Sequence, residues 1–197
     1  MTAVDIDPKL VSQAEKLLAL RSSRVRHDAA DHSSRLVDYF PISAVLKHGY
    51  RFEPEHTANH APQPTELAAS KWPRVSFVSG DWVVSANPAT SGPYDVILAL
   101  SVIKWLHLEH GDDGLVTFFR KCASSLAPGG YLVIELQLWD SYERAVRSSV
   151  APHFRDSFDK LKYRPETSFT ELLQEQGFIL CTTSEALPRR ICVYRKA

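Results

Sequence analysis

The stretch AVDIDPKLV, residues 3–11, decides how this chain is read. A short apolar strand, AVDI, runs into acidic residues. Asp7 then stands at a helix N-cap, and Pro8 takes the first helical position, where its fixed φ and missing N–H suit the helix start. Leu10, Val11, Ala14, Leu17 and Leu18 recur at helical spacing and predict one apolar face, the helix fading near Leu20 to Ser23. Strand, acid and helix in that order are how open α/β sheets hold a ribose, because a carboxylate at the carboxyl end of the second strand accepts both hydroxyls. Two readings of Asp5 stay open: a ribose acceptor, or an acidic helix-start residue favoured by the helix dipole.

The totals narrow the field. A chain of 197 residues suits one domain with a proper core, expected here across 1–197. Formal net charge is zero, so nothing draws the whole molecule to nucleic acid or membrane, and any such partner must be held by a local patch. The cysteines, Cys122, Cys181 and Cys192, are odd in number and far apart, which favours a reducing compartment and buried free thiols over a disulfide framework. The N-terminus carries acids and no apolar signal core. The longest apolar run, YDVILALSVIKWL, is shorter than the roughly 20 residues a bilayer demands. A soluble intracellular protein is expected.

Residues 21–74 read as an insertion: periodicity is weak, with local order expected around LVDYFPISAVL and a mobile tract across EPEHTANHAPQPT. His56 and His60 stand four apart there, but in a proline-rich tract with no cysteine near, so no metal site is expected. Regular structure returns with RVSFVSGDW as a strand. YDVILALSV reads as a strand buried on both faces. DDGLVTFFRKCASSL reads as a helix burying Leu115, Phe118, Phe119, Cys122 and Leu126, capped by Gly129-Gly130. YLVIELQL is a strand, SFTELLQEQGF a helix, and FILCTTSE with RRICVYRK a closing antiparallel pair. Alternating strands and helices predict a doubly wound α/β sheet. The antiparallel ending favours a class I methyltransferase (Rossmann-like) sheet over a dinucleotide dehydrogenase.

Asp81 follows the next strand, where S-adenosylmethionine (SAM) enzymes of this fold meet the adenine amino group, with Trp82 able to cover the ring. The alternative is an aspartate that caps the turn SGDW. Only Met1 and Thr2 precede Ala3, so the fold is read as lacking its first strand and the glycine-rich loop that lets backbone approach the methionine part of SAM.

LALSVIKWLHLEHGDDGL (98–115), LAPGGYLVIELQLWDSY (126–142) and PRRICVYRKA (188–197), preceded by VDID and FVSGDW, resemble the bicoid-interacting-3 family of RNA methyltransferases. The resemblance spans nearly the whole chain outside the insertion. It implies methyl transfer from SAM to the 5′ γ-phosphate of a small non-coding RNA. It places Asp5 and Ile6 at the ribose, Asp81 and Trp82 at the adenine, and Leu100 beside the cofactor. Lys104, His107 and Gln137 become the catalytic candidates. Where the family reads glutamate-proline-glutamine-proline-tryptophan, this chain has Glu135-Leu136-Gln137-Leu138-Trp139, without either proline. Implied partners are an RNA with a 5′ phosphate or triphosphate and RNA-processing or ribonucleoprotein proteins, around a monomeric enzyme placed in the nucleus rather than the cytoplasm.

The chemistry asks little of the protein. A terminal phosphate has its second pKa near about 6, so at neutral pH it is already an anionic nucleophile. What is needed is alignment and cations. Lys104, after the fourth strand of the fold, is such a cation, or else a solvated loop lysine; His107 can add a hydrogen bond. Arg144, Arg147, Arg155, Lys160, Lys162 and Arg164 outnumber Asp156 and Asp159 over 144–164, with Tyr142, His153, Phe154, Phe158 and Tyr163 interleaved. With Trp105 and Trp139 they form an RNA-binding candidate; an ordinary solvated helix face reads the same way. A SAM-free RNA-binding chain and a small-molecule O-methyltransferase are the alternatives to the enzyme.

Overall fold

A computed structural model describes residues 1–22, 75–147, 151–184 and 189–197. The insertion, with its basic residues from Arg24 onward and the His56–His60 pair, lies outside the described residues. The chain divides into two compact units, Met1–Trp82 and Val83–Ala197.

In the first unit, strand β1 (Thr2–Asp5) pairs in parallel with β2 (Ser76–Ser79), with Thr2 opposite Ser76 and Asp5 opposite Ser79. Helix α1 (Pro8–Ser22) follows β1. Its start is built as the sequence predicts: Asp7 accepts the Lys9 N–H at 2.8 Å, and Val11 N–H closes the first turn on the Asp7 carbonyl. The apolar face is narrower than expected. Val11 is buried, whereas Leu10 and Leu17 are exposed.

The second unit carries a four-stranded sheet in the order β3-β4-β6-β5, from β3 (Tyr94–Ala99), β4 (Leu126–Leu136), β5 (Phe178–Ser184) and β6 (Arg190–Lys196). β3 and β4 are parallel, and β6 runs antiparallel to both β4 and β5, the closing pair the sequence predicts. The helices are α2 (Ile103–Ser125), α3 (Trp139–Arg147), the single turn α4 (Arg155–Phe158) and α5 (Phe169–Glu175). Leu132 lies opposite Tyr194 and Ile134 opposite Cys192, so all four share one sheet face, and all are buried. Leu115, Phe119 and Cys122 of α2 and Phe169 and Leu173 of α5 complete this interior, Phe119 and Phe169 meeting edge to face at 5.7 Å.

Three expectations need correction. β3 is not buried on both faces: Val96 and Leu98 are exposed, as is Tyr131. The register explains why. Val96 pairs with Tyr131 and Leu98 with Val133, on the face opposite the one carrying buried Leu132 and Ile134. Second, the long helix begins at Ile103, not near Asp112, and continues through a break at Gly111, whose φ of 67° and ψ of −167° are not helical. Third, Gly129 is not the helix cap. Extended Leu126 ends α2, its N–H bonded to Cys122. Gly129, at φ 76°, serves instead the bulge where pairing jumps from Tyr94–Leu126 to Val96–Tyr131.

Candidate functional site

Parallel pairing in the first unit brings two of the sequence-predicted carboxylates to one edge. Asp5 ends β1, Gly80-Asp81 follow β2, and the Gly80 N–H donates to the Asp5 carbonyl at 2.9 Å. Asp5 Oδ1 accepts the Asp7 N–H at 2.8 Å in an Asx turn. The side chain is exposed and its other oxygen has no partner among the described residues. An exposed carboxylate fixed by one oxygen suits a diol acceptor, so the nucleoside end of SAM fits this edge. Ile6 is exposed beside it, and Asp81 and Trp82 are half-buried.

In the second unit the strand ends carry charge. Lys104, in the first turn of α2, is 8% exposed. Its Nζ donates to Ser141 Oγ at 3.0 Å and lies 4.4 Å from the centre of the Trp105 ring. Burial, then the positive charges of Arg189 and Arg144, hold its amine below the usual lysine value. No acidic partner of Lys104 is found among the described residues. Leu100, at the end of β3, is exposed.

Glu135 near the end of β4 is buried, and its two oxygens accept from Ser101 Oγ at 2.7 Å and Arg189 Nη1 at 2.7 Å. Burial pushes its carboxyl up, but the hydrogen bonds from Arg189 and Ser101 outweigh this and keep it ionised below the usual range. Neither Ser101 nor Arg189 was given a role by the sequence reading. The signal was present: an acid inside the apolar run YLVIELQL demands a cation from elsewhere in the chain. Gln137 Oε1 and Arg164 Nη1 are buried without a hydrogen-bond partner among the described residues.

The aromatic candidates are packed more than presented. The Trp139 ring stacks on Phe158 at 4.7 Å and on Tyr142 at 5.1 Å, and the Arg164 guanidinium carbon sits 3.4 Å from its centre. Tyr142 is enclosed with Leu108, Val146 and Leu161, and Trp105 packs against the same cluster. Arg144 and Arg147 are exposed on α3; Arg147 pairs with Glu143 at 3.0 Å.

His107 lies in the interior, fully enclosed, edge-on to Tyr142 and Phe169. Its Nε2 meets Asp112 Oδ1 at 2.9 Å, while Nδ1 is buried with no partner among the described residues. Asp112 also accepts the backbone N–H groups of Lys162 and Tyr163, at 2.9 and 3.2 Å. These bonds together outweigh burial and lower its carboxyl below the usual value. Burial holds His107 below its ordinary value, with Asp112 opposing the shift, so the ring is neutral and carries its proton on Nε2. A second proton would face no acceptor. The unfolded chain takes up that proton as pH falls below about 6.5, and the folded one does not, so stability falls as pH drops from there toward the lower folded value. Urea unfolding at pH 7.5 and 5.5 should therefore show a loss at the lower pH that His107→Gln abolishes; an equal loss in both proteins would assign it to other groups.

Among the described residues no group of three or more metal-ligating side chains gathers, and no helix is long and apolar enough to cross a membrane.

The comparisons with known proteins agree with this arrangement. The fold is similar to that of a SAM-dependent methyltransferase from Methanosarcina mazei, at a TM-score of 0.52 and 11% identity, covering 99% of this chain and 81% of that one. In sequence, the chain is 40% identical over 111 residues to the U6 snRNA methylphosphate capping enzyme Amus of Drosophila melanogaster, covering 54% of this chain and 36% of that protein. Against the 7SK snRNA methylphosphate capping enzyme of Mus musculus it is 29% identical over 223 residues, covering all of this chain and 32% of that protein. The chain thus spans about a third of the length of these relatives. The model of bicoid-interacting protein 3 (Bin3) matches residues 94–196, the whole strand-and-helix run that carries Lys104, Glu135 and Arg189. On that match the chain belongs to the Bin3 family.

Proposed function

We propose that this chain is a SAM-dependent methyltransferase acting on the terminal 5′ phosphate of a small RNA, the γ-phosphate where the end is a triphosphate. The observation that carries the proposal is Lys104: a nearly buried amine, fixed on Ser141 and over Trp105, with no anionic partner among the described residues. A phosphate oxygen would supply an anion, and relatives named for methylating RNA ends support an RNA as its source. SAM, when bound, supplies an electrophilic methyl group on sulfonium. Asp5 and Ile6 hold its ribose in this proposal, with Asp81 and Trp82 at the adenine. Lys104 orients the phosphate and screens its charge while leaving one oxygen to attack, and Gln137, whose amide oxygen is buried without a partner, offers an acceptor beside the strand end. No general base is needed, since the phosphate is already anionic. The snRNA enzymes among the relatives support a nuclear setting.

The test supplies the chain with methyl-labelled SAM and one RNA carrying a 5′ triphosphate, a 5′ monophosphate or a 5′ hydroxyl. Label on the phosphorylated ends, resistant to a phosphomonoesterase because methylation blocks the terminal phosphate, and recovered with the 5′-terminal nucleotide after nuclease digestion, is the expected result. Equal labelling of the hydroxyl RNA would refute phosphate chemistry.

A further inference from the structure

Arg189 does more in this structure than neutralise Glu135. Its Nη1 donates to both Glu135 Oε1, at 2.7 Å, and Ser101 Oγ, at 2.9 Å. Ser101 in turn donates to the other Glu135 oxygen, which closes a three-membered network at the ends of β3 and β4 and the start of β6. Ser101 is held at φ 61°, a left-handed conformation uncommon for serine, and such strain persists where surrounding contacts over-determine it. Nη1 thereby spends both of its protons. The Nε–H and Nη2 edge has no partner among the described residues, and the side chain is 61% exposed. An arginine anchored through one nitrogen on a buried acid, with its side-on fork turned to solvent, is pre-oriented for a bidentate oxyanion.

The position narrows which oxyanion. Ser101 precedes Lys104 by three residues at the entry to α2, and Arg189 and Arg144 are the two charges that Lys104 feels. The positive charges of Arg189 and Arg144 both act on Lys104, and Glu135 already has both oxygens engaged. Such a cluster takes a ligand with more than one negative charge. We propose that Arg189 is a specificity-determining residue, which grips the terminal phosphate through its free fork and makes binding depend on the phosphorylation state of the RNA 5′ end. This rests on the phosphate-methylating reading above. Glu135 and Ser101 are positioning residues, which hold the guanidinium where Lys104 can share the same phosphate.

The experiment measures equilibrium binding of the full chain to one RNA sequence carrying a 5′ triphosphate, a 5′ monophosphate or a 5′ hydroxyl. Arg189→Gln should shrink the preference for phosphorylated over hydroxyl RNA by about tenfold, the worth of a charge-assisted pair, and leave hydroxyl RNA affinity within about twofold. Arg189→Lys should recover part of the preference, since it keeps the charge but not the fork. Arg189→Gln leaves Glu135 buried and unpaired and so lowers the melting temperature. The double variant Arg189→Gln/Glu135→Gln removes that charge, and should regain stability without regaining the preference. Recovery of the preference in the double variant would overturn the inference, because the arginine would then serve only to neutralise Glu135. So would an unchanged preference in Arg189→Gln, or equal weakening toward all three RNAs. If the unaltered chain fails to prefer phosphorylated RNA, the functional reading itself falls.

Discussion

Lys104→Met is expected to lower methyl transfer to a 5′-phosphorylated RNA by about 10²–10³-fold, the usual cost of removing one donor aimed at reacting charge. Methionine keeps an unbranched apolar stem and removes the ammonium, with its contact to the Trp105 ring and its hydrogen bond to Ser141. The fall should appear in kcat/KM for RNA, with SAM affinity unchanged. Stability should move the other way. Burial and two neighbouring arginines disfavour the charged amine, so its removal relieves a cost and the melting temperature should hold or rise. Lost activity with retained stability is the pattern of a group held against its own preference for the sake of a ligand. A melting temperature that falls along with activity would mark Lys104 as a structural residue and undercut the proposed function.

The largest expected effect on stability lies away from the site. Phe119→Ala should destabilise the second unit by about 3–5 kcal/mol, the range for emptying a buried aromatic position. Phe119 is fully enclosed, 5.7 Å from Phe169 and 5.8 Å from Phe118. Its loss opens a cavity between α2 and α5 that neither helix can close without leaving the sheet, and it also removes the edge-to-face pair. Denaturant unfolding monitored by circular dichroism reads the loss directly. Phe119→Leu, which keeps much of the volume, should cost markedly less. A cost under about 1 kcal/mol for the alanine variant would mean that the interior collapses around the gap.

How much of this was legible in the sequence depended on whether a residue's task was local. Asp7-Pro8 told the start of α1, because a cap uses only neighbours in the chain. The helical repeat of Leu115, Phe119 and Cys122 told the buried face of α2, since periodicity reports one face of one element. The exposed side of β3 was illegible for the opposite reason. An unbroken apolar run carries no alternation, and only the pairing of Val96 with Tyr131 shows which side the helices leave uncovered. At Gly111 the sequence suggested a turn but not the helix before it, Ile103 onward, for a like reason. Helical residues stand on both sides of it, and the partners that accommodate it, Lys162 and Tyr163, lie about fifty residues further on.

The site shows the same division. Lys104 was found through a motif, and the parallel pairing brings the Asp5 and Asp81 positions to one strand edge. The network of Ser101, Glu135 and Arg189 joins residues 34 to 88 positions apart, and no spacing rule connects them. Trp139 was an RNA-binding candidate in the sequence, which shows a ring without its neighbours. The fold sets Phe158, Tyr142 and Arg164 against it. His107 looked like a polar group at the motif's centre, and the fold turns it inward onto Asp112.

The interruption of α2 at Gly111 has a consequence for how this family can vary. Ser157 Oγ reaches the Leu108 carbonyl just before the break, and Asp112 just after it takes the Lys162 and Tyr163 N–H groups. The broken helix is in effect a latch, and the segment that ends in Arg164 is fastened to it at both ends of the gap. Once fastened there, Arg164 keeps its seat on Trp139 whatever the length of chain running from α3 to the latch. Insertions and deletions in that stretch are thereby uncoupled from the side-chain geometry at the strand ends, and the stretch can be remodelled while the seat of Arg164 stays fixed.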